Sequence, residues 1–178
     1  MARLLLSTLL LPALILAQGE KKEIEKLAPY YPTPETIVEE MLKLVGLKSG
    51  EKMFDLGSGD GRIVIASAKK GADSVGVEFD EDLYKRSSAK IKALGLEKKA
   101  RIIHGDMLKQ DYSSADVLTV YLLPVSNDKM RPLLEAQLKK GARIVAHDFE
   151  FSGWNPVKIV TIEDDGEGRS HTLYLYQR

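Results

Sequence analysis

Strand-like and helix-like segments alternate along this chain from Pro32 onward, and this alternation limits the folds it can adopt more than any other feature of the sequence. Apolar residues recur at helical spacing over 33–45 and a short strand is expected over 52–55. Further strands are predicted at 74–78, 100–104, 116–121 and 142–147. Parallel strands need long crossover connections, which helices provide. The pattern therefore predicts a parallel sheet with helices on both faces.

The end of the chain departs from this alternation. Two strands over 157–163 and 171–177 flank the turn-rich run Asp164-Asp165-Gly166-Glu167-Gly168, which predicts a hairpin. The fold class that we expect is α/β: a Rossmann-like, doubly wound, mostly parallel seven-stranded sheet with a C-terminal antiparallel hairpin. Two helix starts are predicted as well, with Thr33 and Asp60 as the capping residues, and a late helix is expected over 129–138.

The first nineteen residues have a different character. Residues 4–17 form an uncharged, mostly apolar run, which as a helix would span about 21 Å and is shorter than the roughly 30 Å hydrocarbon core of a bilayer. The run ends in Ala17-Gln18-Gly19, which is typical of a secretory signal peptide; a retained anchor and a segment packed on the domain stay open. The predicted organisation is a signal peptide or N-terminal membrane anchor at 1–19, a linker at 20–31 and one domain at 32–178.

Charge and composition exclude several classes of protein. The 26 basic and 26 acidic side chains cancel, so the chain lacks the overall cationic surface that nucleic-acid binding uses. A basic stretch over 85–101 is interrupted by Glu97 and is typical of a solvated helix face, and no nucleic-acid partner is expected. Without cysteine there is no thiolate metal site and no thiol nucleophile. The three histidines are scattered along the sequence, so no metal site is expected.

The sharpest local motif is a glycine loop, Asp55-Leu56-Gly57-Ser58-Gly59-Asp60-Gly61, between a predicted strand and a predicted helix. Glycine permits positive φ and close approach of a ligand to the main chain, and the helix start adds unpaired N–H groups. Glu78 ends the next strand, where its carboxylate can accept hydrogen bonds from the hydroxyls of a ribose. Asp106 ends the third strand, near the expected position of an adenine. The pattern predicts a nucleoside site.

The spacing of the glycines favours one kind of nucleoside. Dinucleotide sites use Gly-x-Gly-x-x-Gly, which leaves room for a pyrophosphate at the helix start. Here the spacing is Gly-x-Gly-x-Gly, and Asp55 precedes it. A carboxylate at this place suits a ligand with an ammonium and a sulfonium group and repels a pyrophosphate. The predicted cofactor is therefore S-adenosyl-L-methionine; a tight strand–helix turn without a ligand is the alternative for the loop alone.

Further motifs match one group of proteins. They are the Tyr31-Pro32-Thr33-Pro34 entry to the first helix, the glycine loop and Tyr121-Leu122-Leu123-Pro124 after the fourth strand. Over residues 29–154 the chain resembles the class I (seven-β-strand) S-adenosylmethionine-dependent methyltransferases. Within that class it is similar to the small lysine methyltransferases of the ATP synthase c-subunit and adenine nucleotide translocase type, and to their archaeal and bacterial relatives. The glycine loop is specific only to the class, whereas the other two motifs are specific to the subgroup.

The resemblance implies a function and a set of site residues. It implies transfer of a methyl group from S-adenosylmethionine to a nucleophilic nitrogen, foremost the side-chain amine of a protein lysine, with S-adenosyl-L-homocysteine as the product. Asp55, Gly57 and Gly59 would line the methionine end of the cofactor, Glu78 would hold its ribose and Asp106 would approach its adenine. The remaining predicted cofactor-binding residues belong to the same loop: Ser58 and Gly61.

Catalytic and substrate-binding residues are expected after the fourth and fifth strands, at the sheet edge where such folds bind ligands. Tyr121 stands where amide- and adenine-directed methyltransferases carry Asn/Asp-Pro-Pro-Tyr, and His147 and Asp148 follow the fifth strand. These three are the candidate catalytic residues; a core aromatic for Tyr121 and a structural role for His147 and Asp148 are the alternatives. The predicted substrate-binding residues, three of them aromatic walls of a lysine channel, are Tyr31, Thr33, Phe149 and Trp154.

Two other functions stay open at this point: a small-molecule methyltransferase and a non-catalytic S-adenosylmethionine-binding module. The sequence has no inserted lid between the fifth strand and the hairpin, which favours an open site for a protein side chain. The export-like start suggests a membrane-associated or exported chain. Because the cofactor must be supplied, we expect association with a membrane through the N-terminal segment and a domain that faces the cytoplasm. The oligomeric state is not set by the sequence.

Overall fold

Helices and strands alternate along residues 30–178, the part of the chain that the computed structural model describes. The helices are α1 Glu35–Leu44, α2 Arg62–Lys69, α3 Glu81–Ala93 and α4 Pro124–Gln137, and a 3-10 turn spans Met107–Lys109. The strands are β1 Lys52–Leu56, β2 Asp73–Glu78, β3 Ala100–His104, β4 Val117–Val120, β5 Arg143–His147, β6 Lys158–Ile162 and β7 His171–Gln177. The predicted signal peptide or anchor at 1–19 and residues 20–29 of the predicted linker lie outside the described residues. Within residues 30–178, no helix has both the length and the apolar character needed to cross a bilayer.

The seven strands form one sheet in the order β3-β2-β1-β4-β5-β7-β6. Strands β1 to β5 are parallel to their neighbours, β7 is antiparallel to β5, and β6 is antiparallel to β7. The predicted mostly parallel seven-stranded sheet with a C-terminal antiparallel hairpin is confirmed. After β1 the chain builds one side of the sheet through β2 and β3, and then returns to place β4 on the other side of β1. Ligands bind at such a switch point, outside the carboxyl ends of the strands.

Both faces of the sheet are covered, because successive residues of each central strand point to opposite sides. On one face, Phe54, Leu118 and Ile144 belong to a core that includes Met130 and Leu134 of α4. On the other face, their sequence neighbours Met53, Val117 and Val145 pack in a core with residues of α1. Strands buried on both faces read as continuous apolar runs, which is why β4 and β5 are so apolar in the sequence. The C-terminal ends of the strands are the part of this framework that is left for a site.

Three predicted helix starts were wrong in detail. The residue before α1 is Pro34, whose backbone is extended, and no side chain caps that helix, so Thr33 is not its cap. Gly61, in the left-handed conformation, precedes α2, and no side chain caps that helix either. Asp60 lies one residue further out and accepts a hydrogen bond from the backbone N–H of Arg62 at 3.2 Å. Helix α4 begins at Pro124, five residues before the predicted start, because proline is favoured in the first turn of a helix.

Candidate active site

A cleft lies at the carboxyl ends of β1, β2 and β4, at the switch point of the sheet. Its walls come from the end of β1 and the glycine loop, the end of β2, the start of α3, the segment after β4, and the segment before α1. Of the predicted site residues, those that line it are Tyr31, Thr33, Asp55, Gly57, Ser58, Gly59, Glu78 and Tyr121. The cleft is also lined by residues that the sequence analysis did not name as ligands, among them Tyr30, Phe79, Leu83, Met107 and Leu122.

The glycine loop is held in a conformation that its glycines make possible. Gly57 and Gly59 have φ of 73° and 53°, in the left-handed region that other L-residues rarely adopt. The N–H groups of Gly57 and Ser58 both donate to the carbonyl of Val77 at 3.0 Å, which fastens the loop to β2. Gly61 does not line the cleft. A Cβ there would lie 3.1 Å from Cβ of Ser87, so this glycine is required for packing of the loop against α3.

Glu78 organises the loop and offers free acceptor sites. Its carboxylate is buried, and Oε2 accepts a hydrogen bond from the N–H of Gly59 at 2.7 Å while Oε1 accepts one from the N–H of Asp80 at 2.8 Å. A carboxylate oxygen can accept more than one hydrogen bond. Glu78 therefore stands fixed at the cleft wall with acceptor capacity left for the two hydroxyls of a ribose.

Asp55 is a buried carboxyl group, and within residues 30–178 no cationic side chain is its hydrogen-bond partner. The hydroxyl of Thr119 donates to Oδ1 of Asp55 at 2.7 Å. Burial raises the pKa of Asp55 to about 7, the hydrogen bond from Thr119 opposes that rise, and the negative charges of Glu78 and Asp60 add to it. A cation brought beside this carboxylate would favour its ionised form. Asp55 is thus suited to the ammonium group of a ligand in the cleft.

Asp106 is not among the residues that line the cleft, and its role at the adenine stays a prediction. Its Oδ1 accepts a hydrogen bond from the N–H of Leu108 at 2.9 Å and so caps the 3-10 turn that begins at the next residue. The neighbouring residue Met107 lines the cleft. Together with Phe79 and Leu83 it gives the cleft an apolar wall, which suits a flat base. Apolar residues of this kind carry no sequence signal that separates them from core residues.

Tyr121 lies between two other aromatic side chains at the mouth of the cleft. Its ring centroid is 6.5 Å from that of Tyr31, edge to face, and 6.3 Å from that of Phe149, with ring planes 17° apart. The Tyr121 hydroxyl donates to Oδ2 of Asp148 at 3.4 Å. Burial, together with the negative charge of Asp148, raises the pKa of Tyr121 to about 12, so the phenol is neutral near pH 7. The three aromatic rings form one wall, although Phe149 does not border the cleft itself.

The segment before α1 is fastened across this mouth. Arg62 donates from Nη1 to the carbonyl of Thr33 at 2.7 Å, and Thr36 donates from its hydroxyl to the carbonyl of Asp165 at 2.7 Å. Arg169 donates to the Tyr31 hydroxyl, and its guanidinium lies 5.0 Å from the centroid of the Tyr31 ring. The Pro-Thr-Pro entry that the sequence singled out is thus a wall of the cleft, with contacts to α2 and to the turn between β6 and β7.

Trp154 was predicted to line the same channel, and the structure places it elsewhere. Its ring packs against Phe151 and Tyr176, and Nε1 donates to Oε1 of Glu135 near the end of α4 at 2.7 Å. The loop after β5 is drawn away from the cleft because Asn127 of α4 donates to its backbone carbonyls at 3.0 and 3.2 Å. Trp154 is therefore a core residue on the α4 face of the sheet.

His147 and Asp148 belong to a polar cluster behind Tyr121 and do not line the cleft. His147 is fully buried, and its ring centroid lies 3.9 Å from that of Tyr121. Burial lowers the pKa of His147 to about 4, against the opposing effect of Asp148, so the ring is neutral near pH 7. The cluster is completed by two residues that the sequence analysis missed, His171 and Asp165: Nδ1 of His171 is 3.0 Å from Oδ2 of Asp148, and its Nε2 is 3.1 Å from Oδ2 of Asp165.

The antiparallel pairing of β5 with β7 explains this cluster. His147 ends β5 and pairs with Leu173, which brings the start of β7, where His171 lies, to the same edge of the sheet. The N–H of Asp148 donates to the carbonyl of Thr172 at 2.7 Å, and the N–H of Thr172 donates to Oδ1 of Asp148 at 2.9 Å. The predicted hairpin was the one sequence signal that could have placed His171 here, but only with the strand order known.

Comparisons with known proteins agree with this geometry. The family model of the ANTKMT methyltransferase domain matches residues 55–158. A protein-lysine N-methyltransferase from Saccharolobus islandicus is 40% identical over 150 residues, which cover 83% of this chain and 92% of that protein. The lysine N-methyltransferase of the ATP synthase c-subunit from Xenopus laevis is 33% identical over 83% of this chain, but the match spans only 62% of the frog enzyme. A crystal structure of an RNA methyltransferase from Salinibacter ruber in complex with S-adenosyl-L-homocysteine superposes with a TM-score of 0.76 at 39% identity, over 83% of this chain and 93% of that one.

Proposed function

The chain belongs to the ANTKMT methyltransferase family, whose members use S-adenosylmethionine, and from this premise we propose that it methylates the side-chain amine of a lysine in a protein substrate. The observation that carries the proposal is the position of Tyr121. Its phenol lines the cleft that holds the glycine loop and Glu78, and its ring stands beside Tyr31 and Phe149. A lysine entering along this wall would bring its amine to the cofactor end of the cleft.

The residues present fit S-adenosylmethionine. Glu78 keeps acceptor sites for ribose hydroxyls, and Gly57 and Gly59 line the cleft without a Cβ, with the Tyr30 ring lying against Gly59. Asp55 is a buried carboxyl group that an ammonium group would complement. When bound, the cofactor supplies a methyl carbon on a sulfonium, and in-line displacement at that carbon depends mostly on positioning. The chain's contribution to the reaction is therefore to hold the cofactor and the amine in line.

The aromatic wall suits a lysine in two ways. The apolar stem of lysine packs against ring faces while its charged end stays near polar groups, and a cation is attracted to an aromatic face. Because the Tyr121 hydroxyl donates to Asp148, its oxygen retains lone pairs that can accept a hydrogen bond from the amine. Forming the neutral amine from a lysine of ordinary pKa costs about 4–5 kcal/mol at pH 7. Desolvation between Tyr31 and Tyr121 beside a cationic sulfonium lowers that cost.

A protein substrate is favoured over RNA by charge. Among the described residues that line the cleft, Arg62 is the one cationic side chain, and it is paired with Asp60 at 2.9 Å. Arg169, at the mouth, is engaged by the ring and hydroxyl of Tyr31. RNA methyltransferases need cationic groups to hold phosphates. The Salinibacter ruber relative is nevertheless called an RNA methyltransferase, so the experiment below also tests RNA as a substrate.

The test is a transfer assay with the full chain and methyl-labelled S-adenosylmethionine. Lysate from the source cells is separated into protein, RNA and small-molecule fractions, each fraction is incubated with enzyme, and the labelled atom is located by mass spectrometry. We expect label on lysine side chains of protein. Label confined to RNA or to a metabolite would overturn the substrate assignment, and cofactor binding without transfer to any fraction would overturn the enzymatic function. The Glu78→Ala variant is the negative control, since it should lose label in all three fractions.

A further inference from the structure

Three donor atoms of different residues converge behind Tyr121. Nε2 of His147 lies 2.9 Å from Nδ1 of His171, Nδ1 of His171 lies 3.0 Å from Oδ2 of Asp148, and Nε2 of His147 lies 3.4 Å from the same oxygen. Both rings are buried, and the Asp148 side chain is 24% exposed. The three atoms form a compact triangle with sides of 2.9 to 3.4 Å.

The outer nitrogens of the two rings bear on which atoms of the triangle carry lone pairs. Nε2 of His171 faces Oδ2 of Asp165 at 3.1 Å, and a carboxylate only accepts, so a proton on Nε2 is favoured. Nδ1 of His147 lies 3.3 Å from the Thr33 hydroxyl, which can accept a proton from this nitrogen or donate one to it. When the hydroxyl accepts, both inner nitrogens and Oδ2 of Asp148 present lone pairs to one another, and a cation bound between them would stabilise this arrangement.

We propose that His147, Asp148 and His171 bind a divalent metal ion of the zinc class. Zinc binds histidine nitrogen and carboxylate oxygen at about 2.0–2.2 Å in tetrahedral sites, so its ligand atoms lie about 3.3 Å apart. The triangle is close in size to one face of that tetrahedron, with one side of 3.4 Å and two sides, 2.9 and 3.0 Å, that are shorter. Two histidines with one carboxylate are a donor set that zinc uses. Three protein ligands leave the fourth position for water or another small ligand.

The surroundings of the triangle are those of a metal site. A ligating histidine usually gives its other N–H to a carboxylate, which fixes the ring, and Asp165 does this for His171. Asp165 is itself fixed by the backbone N–H groups of Glu167 at 2.8 Å and Arg169 at 3.2 Å. The two negative charges of Asp148 and Asp165 balance a divalent cation. The ion would join the end of β5 to the start of β7 beneath the Tyr121 ring, as a clamp behind the substrate wall.

The experiment measures metal binding directly and needs no activity. The full chain, purified with a tag that contains no histidine, is stripped with a chelator and titrated with Zn²⁺, and bound metal is counted by mass spectrometry after desalting. We expect one zinc per chain. Titration with Co²⁺ should give the visible absorption of a tetrahedral site. Failure of the stripped protein to bind either ion would overturn the proposal and leave a shared proton between the two rings.

Variants locate the site. His171→Ala should lose the bound zinc, whereas His104→Ala should keep it, because His104 stacks on Tyr84 outside the cluster. Asp165→Asn keeps all three ligands and should weaken zinc affinity roughly 10- to 100-fold, as changes to outer partners of metal ligands do. This variant also decides the matter if His171→Ala does not fold. Equal zinc affinity in Asp165→Asn, His171→Ala and the parent chain would overturn the proposal, since zinc would then be bound elsewhere.

Discussion

The two sides of the cleft are built in opposite ways. The proposed cofactor side comes mainly from a continuous stretch, Asp55 to Asp60, and from Glu78, with an apolar wall added by Phe79, Leu83 and Met107. Many of its hydrogen-bonding groups are backbone N–H and carbonyl groups. The proposed substrate side is made of side chains from distant segments: Tyr31 before α1 and Tyr121 after β4 line the cleft, and Phe149 after β5 stacks on Tyr121 outside it. A site formed by the backbone of one loop can be predicted from the sequence of that loop. A site formed by side chains from distant segments can be predicted only when the whole fold is known.

This difference predicts different consequences of mutation. On the cofactor side, one carboxylate fixes two backbone N–H groups and holds the ligand, so a single change should damage both the loop and binding. On the substrate side each aromatic ring contributes part of a wall, so single changes should be smaller and should affect turnover rather than cofactor affinity. The following variants test that contrast, from the largest expected effect to the smallest.

Glu78→Ala should weaken binding of S-adenosylhomocysteine roughly 100- to 1,000-fold, because it removes charged hydrogen bonds worth about 1.5–3 kcal/mol each. It also removes Glu78 as the acceptor for the buried N–H of Gly59 and the partly buried N–H of Asp80. Calorimetric titration measures the change. Glu78→Gln is the matched control and should lose less, since its amide oxygen still accepts. A Glu78→Ala affinity within a few fold of the parent would show that the carboxylate does not hold the ligand.

Tyr121→Phe should lower kcat roughly 10- to 100-fold and leave the affinity for S-adenosylhomocysteine within about twofold, because positioning and hydrogen bonding of the amine act in the transfer step. Single-turnover transfer to the labelled protein substrate measures the first quantity, and calorimetry measures the second. Tyr84→Phe, at a ring that stacks on His104 away from the cleft, is the matched control. Equal turnover by the parent and Tyr121→Phe would show that the Tyr121 hydroxyl has no role in methyl transfer.

Asp55→Asn should weaken S-adenosylhomocysteine binding about tenfold at pH 8, through loss of a partner for the ligand's ammonium group. In the cofactor-free protein the same substitution should increase the free energy of unfolding at pH 8. Burial raises the pKa of Asp55 from 3.8 to about 7, so the folded state holds this proton while the unfolded state releases it. The stability that Asp55 contributes is therefore full below pH 3.8 and is lost as the pH rises toward 7.

The linked stability difference amounts to at most about 4 kcal/mol for a shift of this size. We expect Asp55→Asn to unfold at higher denaturant concentration than the parent at pH 8, with the difference shrinking toward pH 4. Chemical denaturation of the cofactor-free protein at both pH values measures this. A difference that does not change with pH would mean that Asp55 is ionised throughout. The Asp106→Asn variant is the control, since that carboxylate caps a turn outside the cleft.

Trp154→Phe should have the smallest effect, about 1 kcal/mol in the free energy of unfolding and none on turnover. The change removes the hydrogen bond from Nε1 to Glu135 and keeps an aromatic ring against Phe151 and Tyr176. Denaturant unfolding and the transfer assay measure the two quantities. A large loss of turnover with little loss of stability would indicate that Trp154 contacts the substrate.

Much of the cofactor side followed from sequence. Helix and strand periodicities predicted the order of elements, and the motif from Asp55 to Gly61 predicted a ligand site after the first strand, where the structure has a cleft. Two residues predicted for this site do not line the cleft: Asp106 caps its own turn, and Gly61 packs on α3. The direction of a single side chain depends on the backbone conformation at that residue, which the periodicity of apolar residues does not predict. The signal peptide or membrane anchor at 1–19 stays a prediction.

Of the aromatic residues predicted for catalysis and substrate binding, Tyr31 and Tyr121 line the cleft, and Phe149 stacks on Tyr121 without bordering it. The sequence could not separate Trp154 from them, because it is an aromatic residue of the same loop, five positions after Phe149. It also missed the pairing of His147 with His171, which are 24 residues apart and come together only through the antiparallel β5–β7 register. Histidines that looked scattered along the chain are neighbours in space. Convergence of this kind depends on strand order, which the alternation of elements alone does not determine.

Asp148 is the one non-glycine residue of the described chain with positive φ, at 58°. Aspartate and asparagine tolerate this left-handed conformation better than most residues, and glycine adopts it freely. The position therefore accepts few replacements, and these differ in whether they keep the carboxylate and whether they relieve the backbone. Glycine would relax the backbone and delete the carboxylate, asparagine would keep the shape without the charge, and alanine would lose the carboxylate without relief. Homologues should therefore carry aspartate, asparagine or glycine at this position. Aspartate would indicate that the carboxylate has been kept, whereas asparagine or glycine would indicate that only the left-handed backbone conformation has been kept.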